Sequence, residues 1–379
     1  MALAVPHIPV TIEEAHLYDG ALAVLKEIRP LWKKENIEFK LFTDGITNKL
    51  VGCRNGVESG EMVLVRVYGQ KTDLLIDRAA ETRNMKVMHK AGYAPRLYAT
   101  FKNGLAYEFV PGVTLTVETV RSPDIFTLVA RMLAQMHCLD LNRECSISNG
   151  SSESVPREEN HEPMLWKKAH SFAELAPSTF ESPEKQARFE KLIPSKKVLK
   201  EEWILLRKEL EGLGSPVVFC HNDLLLGNVI YSSNQVTFID YEYADYNYQG
   251  FDIGNHFNEF AGVDDVDYSR YPSKEFQLPW LRVYLEAFKE ASYSKKQKSI
   301  ENGTPDHERQ MKVSEREVHD LYTQVNKFSL ASNLFWGVWA LIQAEHSTID
   351  FDFLGYGAAR INQYLAMKDT FLNLKADVL

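Results

Sequence analysis

The stretch Val217–Tyr243, "VVFCHNDLLLGNVIYSSNQVTFIDYEY", decides how the rest of the chain is read. Two apolar, strand-like runs flank a polar centre. "PVVFC" reads as a short buried strand, "HNDLLLGN" as a loop, and "VIYSSNQVTFIDYEY" as a hairpin turning at Ser232-Ser233-Asn234. On that layout Asp223 and Asn228 stand five residues apart on the loop. Asp240 follows at the far end of the hairpin, where the three can converge. Taken alone, His221-Asn222-Asp223 reads as an Asx-type turn between strands. The full spacing, Asp-x4-Asn, then a hairpin, then Ile-Asp, favours an active site.

The residue types suit one chemistry. A carboxylate free of metal accepts a hydroxyl proton, while an amide oxygen and a second carboxylate are hard oxygen ligands for Mg²⁺. Protein kinases divide the labour in this way, with an Asp and an Asn on the catalytic loop and a metal-binding Asp after the next hairpin. His221 reads as a hydrogen-bonded support for the loop rather than a proton carrier.

The bulk composition sets the frame. A chain of 379 residues, 45% hydrophobic and 25% charged, can bury a large core and is long enough for two domains or one bilobal one. The formal net charge of −9 and pI of about 5.7 argue against a nucleic-acid partner, which needs a clustered basic face. Cys53, Cys138, Cys145 and Cys220 form no CxxC pair, so a reducing, cytoplasmic setting is expected. "MALAVPHIPVTIEEAHLYDG" lacks a basic n-region and does not read as a signal peptide. The most apolar segment, Phe328–Ala344, carries Ser329, Ser332, Asn333 and Gln343 and reads as a buried helix, not a membrane span.

Two regions are expected, residues 1–110 and 111–379, parted at Pro111-Gly112. In the first, "NKLVGCR" and "MVLVRVYG" read as antiparallel strands. Val63, Val65 and Val67 share one face by the period-two rule, and Leu64, Arg66 and Tyr68 the other. A helix follows in "LIDRAAETRNMKVMHKAG", ended by Gly92, then two more strands in "APRLYATFKNGLAYEFVPG". The second region is mainly helical, with helices in "DIFTLVARMLAQMH", capped by Ser122 or Asp124, and in "KEEWILLRKELEGLG", ended by Gly214. Two polar stretches, near 142–162 and 291–314, read as surface insertions.

The first region offers parts that match the loop. "FTDGITNKL" lies where a nucleotide-covering loop would cross between strands. Thr43, Thr47 and the backbone N–H groups around Gly45 could contact phosphates, although an ordinary β-turn reads equally well from this segment alone. Arg66 with Glu81 would form a charge pair that steadies nucleotide phosphates, Arg adding a bidentate fork. A lone strand Arg reads as a surface cation.

Together these residues resemble the choline/ethanolamine kinase family, relatives of protein kinases and aminoglycoside phosphotransferases, over about Phe39 to Tyr364. The most specific part is "HNDLLLGNVIY…VTFIDYEYADYNYQGFDIGNHFNEFAG". The resemblance implies an α+β, bilobal protein-kinase-like fold, with a small N-lobe built on an antiparallel sheet and a mainly helical C-lobe. It places the catalytic base on Asp223 and the metal ligands on Asn228 and Asp240. It places the nucleotide loop on Thr43, Asp44, Gly45, Thr47 and Asn48, the phosphate contact on Arg66 with Glu81, and the hinge on Glu108, Phe109 and Val110. The wording leans to the ethanolamine side. It implies transfer of the ATP γ-phosphate, with Mg²⁺, to the hydroxyl of ethanolamine, the first step towards phosphatidylethanolamine. A choline or broad amino-alcohol kinase is the alternative, and a kinase-like scaffold the non-enzyme one; retention of Asp223, Asn228 and Asp240 weighs against the scaffold. A homodimer is carried as the expected assembly. "LLLGN" departs from a family pattern with Cys-Lys before the Asn, which bears on local packing.

The amino-alcohol pairs a hydroxyl with a cationic head, which carboxylates and aromatic faces hold. The family's pocket falls on Tyr243, Glu259, Trp336, Trp339 and Tyr356. Each Trp taken singly reads as core. Asp264 stands where a choline-kinase pocket carries a further Tyr, an exchange that suits a primary ammonium.

Overall fold

The computed structural model describes residues 5–42, 48–56, 60–69, 71–141, 162–297 and 312–375. The chain divides into two compact units, Met1–Pro111 with His346–Phe351, and Gly112–Glu345 with Asp352–Leu379.

The first unit comprises β1 (His7–Ile8), α1 (Leu17–Ile28), β2 (Ile37–Phe42), β3 (Asn48–Asn55), β4 (Met62–Tyr68), α2 (Arg78–Lys90), β5 (Leu97–Phe101) and β6 (Gly104–Glu108). Its sheet runs β1-β5-β6-β4-β3-β2. All pairs are antiparallel except β1 with β5. The period-two pattern of β4 sorts its side chains as the sequence suggests. Val63, Val65 and Val67 join Val51, Ala99, Phe101 and Ala106 and the α1 residues Ala21, Val24 and Leu25 in one core. Each fully buried valine there contributes on the order of 1.5 kcal/mol. Arg66, at the alternate position, pairs instead with Glu81 of α2. Asp77 caps α2 by accepting from the N–H groups of Ala79 (3.0 Å) and Ala80 (2.9 Å), and Gly92, at φ 84°, follows its end.

The second unit adds β7 (Val113–Thr114), α3 (Pro123–His137), α4 (Met164–Leu175), α5 (Pro183–Leu192), α6 (Lys196–Glu211), β8 (Val217–Cys220), β9 (Val229–Ser232), β10 (Gln235–Phe238), β11 (Asp245–Tyr248), α7 (Gln249–Asn258), α8 (Lys274–Gln297), α9 (Glu315–His346) and α10 (Phe353–Leu372). Strands order as β10-β9-β7 and β11-β8. The β9–β10 hairpin turns through Ser233 and Asn234, both left-handed (φ 49° and 61°), as a two-residue turn with two positive φ values requires. Ser122 occupies the N-cap of α3 without a side-chain capping bond, and Pro123 supplies the preset first turn.

One expectation is corrected. The polar stretch from Ala291 is not all insertion, because α8 continues to Gln297. "ASYSKKQ" holds no Gly or Pro, and Ser294 folds its hydroxyl back onto the Glu290 carbonyl at 2.9 Å, so polarity there does not break the helix. Residues 298–311 and 142–161 of the two polar stretches lie outside the described residues.

Phe328–Ala344 lies inside α9 and is buried throughout. Close packing against α7 depends on Gly254, where a Cβ would come within 2.7 Å of the Val325 carbonyl oxygen and 2.9 Å of the Ser329 nitrogen. Among the described residues no helix is long and apolar enough to cross a membrane.

Candidate active site

The loop after β8 is held from beneath by one buried carboxylate. Asp252 of α7 accepts from the backbone N–H of Asn222 at Oδ1 (2.7 Å) and from that of His221 at Oδ2 (2.8 Å). Its Oδ2 also accepts from His137 Nε2 (2.8 Å), and Tyr284 closes on the other ring nitrogen at 2.6 Å. Asn222 takes the left-handed conformation (φ 66°), and its side chain donates to the carbonyls of Tyr243 (2.9 Å) and Asp245 (3.2 Å). These bonds turn the chain sharply and place Asp223 next.

Asp223, Asn228 and Asp240 are then tied by short links. Asn228 donates through Nδ2 to the Asp223 carbonyl at 2.8 Å, which fixes the amide and leaves its oxygen as an acceptor. The N–H of Ile239 donates to the Asn228 carbonyl, and the Ile239 carbonyl accepts from His221 Nε2, both at 3.0 Å. Asp240 follows directly, in the left-handed region at φ 64°. A non-glycine residue held there marks a locally over-determined position, common at working sites. His221 serves the loop as the sequence suggests: burial lowers its pKa, so it stays neutral and donates from one nitrogen.

The electrostatics ask for cations. Burial pushes the Asp223 carboxyl well above its ordinary range, and the charges of Asp240, Glu259 and Glu242 push it further, with Arg360 pulling back. An amide oxygen and carboxylates, with no thiolate or imidazole, form a donor set that fits Mg²⁺. His256 supports the loop from α7, donating from Nδ1 to the Leu224 carbonyl at 3.0 Å. Burial depresses its pKa from 6.5 to about 4. With the folded value below the unfolded one, its stabilising effect is whole above pH 6.5 and is lost as pH falls towards 4. Unfolding free energy should drop by about 3 kcal/mol across that window. Denaturant titrations with His256→Asn, which can keep the donor, should show a flatter decline; an identical decline would reject the assignment.

A second cluster in this unit contains the expected amine-binding residues. Trp336 and Trp339 of α9 are 5% and 3% exposed. Their indole N–H groups donate to Asn255 Oδ1 and to the Tyr243 hydroxyl, both at 2.8 Å. Tyr243 stands edge-on to Trp336 at 5.0 Å. Ser332 also donates to Asn255 Oδ1 (2.8 Å) and accepts from Asn258 (3.1 Å), and Asn333 donates to Asn258 (3.1 Å). From Asn333 the network reaches Arg360, which holds Glu259 and Tyr356. The structure thus brings Tyr243, Glu259, Trp336, Trp339 and Tyr356 into one connected set. Asp264 is exposed, apart in character from these buried groups.

In the first unit, Arg66 and Glu81 are buried and paired, and Arg78 adds a second contact to Glu81 at 3.0 Å. Asn48 opens β3 and is buried. Glu108 ends β6, exposed, accepting from the Arg96 N–H at 3.0 Å, and Phe109 donates its N–H to the Met62 carbonyl at 3.3 Å. Val110 is half-buried. Thr43, Asp44, Gly45 and Thr47 lie outside the described residues. In "LLLGN", Leu226 is buried and its carbonyl accepts from the Leu115 N–H (3.2 Å), while Gly227 is exposed, so the departure is absorbed by packing. Sequence reading missed Arg78, His137, Asp252, Asn255, Asn333 and Arg360; "YNYQGFDIGNHF" signalled the α7 members as a block without assigning them roles.

The fold is that of the protein-kinase-like phosphotransferases. A solved ethanolamine kinase from Plasmodium vivax superposes with a TM-score of 0.72 at 28% identity, covering 94% of this chain and 89% of that one. The sequence model for Choline/ethanolamine kinase matches residues 39–365. An ethanolamine kinase of Drosophila melanogaster is 45% identical over 449 residues, spanning 98% of this chain and 81% of its own. Ethanolamine kinase 1 of Homo sapiens is 48% identical over 376 residues, spanning 98% and 77%. The chain belongs to the choline/ethanolamine kinase family, whose members take ATP with Mg²⁺ as phosphoryl donor.

Proposed function

We propose that the protein transfers the γ-phosphoryl group of ATP to the hydroxyl of ethanolamine, giving phosphoethanolamine and ADP. The observation that carries this reading is the buried Glu259 carboxylate in the same polar network as Trp336 and Tyr356, within the electrostatic reach of Asp223. Near-half identity to ethanolamine kinases across almost the whole chain supports it.

In this reading Asp223 orients the substrate hydroxyl and takes its proton as the oxygen–phosphorus bond forms and the bond to the β-phosphate breaks. Asn228 and Asp240 hold Mg²⁺, which when bound neutralises phosphate charge. Arg66, braced by Glu81, contacts the phosphates together with Thr43, Asp44, Gly45, Thr47 and Asn48. Glu108, Phe109 and Val110 contact the base. Tyr243, Glu259, Trp336, Trp339 and Tyr356 receive the ammonium. The first unit is the N-lobe and the second the C-lobe. A homodimer in the cytoplasm belongs to the same proposal. The free, buried thiols of Cys53, Cys138 and Cys220 suit a reducing compartment, and sedimentation tests the assembly.

The aromatic rings Tyr243, Trp336 and Trp339 would also accept a quaternary head, which keeps choline as the second reading. Steady-state rates with Mg-ATP on ethanolamine, N-methylethanolamine and choline decide between them. The expectation is a kcat/KM for ethanolamine at least about tenfold above that for choline, the scale of one lost charged hydrogen bond. A choline value equal or higher overturns the reading.

A further inference from the structure

A buried cation is tolerable only when paired and hydrogen-bonded. Arg360 of α10 is 2% exposed and meets that condition from three sides. Its Nε and Nη2 donate to the Tyr356 hydroxyl at 2.9 and 2.6 Å, and Nη1 donates to Asn333 Oδ1 at 3.3 Å. Asn333 Oδ1 is itself held by the Tyr268 hydroxyl at 2.8 Å. The guanidinium is therefore fixed before it reaches its carboxylate.

That carboxylate is Glu259, 1% exposed at the C-terminal end of α7. Arg–carboxylate pairs favour two parallel bonds. Here the hydrogen bonding is one-sided: Arg360 Nη2 donates to Oε1, and Oε2 is buried with no hydrogen-bond partner among the described residues. An acceptor left bare in the interior carries a desolvation cost and marks a bond awaiting its donor. A primary ammonium carries N–H donors for it; a quaternary ammonium carries none.

We propose that Arg360 is the positioning residue for amine selection: it binds Glu259 Oε1 and so presents Oε2 to an N–H of the substrate amine. The proposal rests on the amino-alcohol reading above and adds to it a residue that does not touch substrate. The electrostatics agree, because burial raises the Glu259 carboxyl and Arg360 draws it back towards the ionised form that accepts hydrogen bonds.

The test is steady-state kinetics of full-length wild type, Arg360→Met and Arg360→Lys on ethanolamine, N-methylethanolamine and choline, with the KM for ATP measured alongside. Arg360→Met should raise the KM for ethanolamine by about tenfold to a hundredfold, with a smaller fall in kcat. The KM for choline should rise less than that for ethanolamine, N-methylethanolamine should fall between, and the ATP value should hold. Arg360→Lys, which keeps the charge, should recover part of the loss. Equal losses for ethanolamine and choline would show a merely structural role and overturn the proposal. Should Arg360→Met fail to fold, Glu259→Gln, with its isosteric side chain, carries the test: it should show the same substrate-selective loss, and an unchanged KM for ethanolamine overturns the proposal. A wild type that prefers choline defeats the functional reading itself. A wild type that prefers ethanolamine, joined to unselective variants, defeats only the role of Arg360.

Discussion

Asp223→Asn is expected to lower kcat by about two to four orders of magnitude, the range that a positioned general base supplies. The substitution removes the proton acceptor and little else. The Asp223 main-chain carbonyl, not its carboxylate, receives the bonds from Leu225 (2.9 Å) and from Asn228 (2.8 Å) that shape the loop. His221 and Asn222 stay anchored through their own N–H groups on Asp252. Thermal stability should therefore change little, and equilibrium binding of Mg-ATP should persist. An amide also relieves the crowding of Asp223 with Asp240, Glu242 and Glu259, so nucleotide binding has no electrostatic reason to weaken. Turnover within a few-fold of wild type would remove Asp223 as the base.

The hairpin that decided the reading was legible because its signals are local. Alternating apolar residues fix β9 and β10, and Ser233-Asn234 can adopt the two left-handed conformations that the turn needs. The valines of β4 were legible for the same reason, since side chains two residues apart must share a face. Helix α1 escaped notice because Gly20 interrupts its pattern; in the structure Gly20 instead lets Ile12 pack close, within 2.5 Å of where a Cβ would stand. Trp336 and Trp339 show why core and pocket readings of an aromatic stripe need not compete: both rings are buried, and both N–H groups are fixed by polar partners. Arg360 and Asp252 were out of reach. Arg360 meets Glu259 across 101 residues of sequence, and Asp252 meets Asn222 across 30, with no periodicity to link either pair. Pairings of that kind are set by how helices dock, not by any local pattern.

Asp252→Asn should be the more damaging change for the fold. Both carboxylate oxygens face donors: the Asn222 N–H at Oδ1, and the His221 N–H and His137 Nε2 at Oδ2. An amide in that place must turn an NH₂ group towards an N–H whichever way it flips, so no rotamer satisfies the site. Removing one partner from such a buried charged network costs about 3–5 kcal/mol. In a domain of this size that corresponds to a Tm lower by roughly 10 °C. The pH dependence gives an independent check. Burial alone would raise the Asp252 carboxyl, but the hydrogen bonds from His137 Nε2 and from the His221 backbone N–H help to outweigh it and hold the group below its usual 3.8. A folded value below the unfolded one makes the stabilisation complete above about pH 4 and lost as pH falls through the folded value. Wild type should therefore lose stability below pH 4 more steeply than Asp252→Asn, which has already lost that contribution. Catalysis should fall with stability, since the two N–H groups released belong to the residues immediately before Asp223. Calorimetry showing a Tm within 2 °C of wild type would refute the anchoring role; a lower Tm with unimpaired turnover at low temperature would show that the loop keeps its geometry without Asp252.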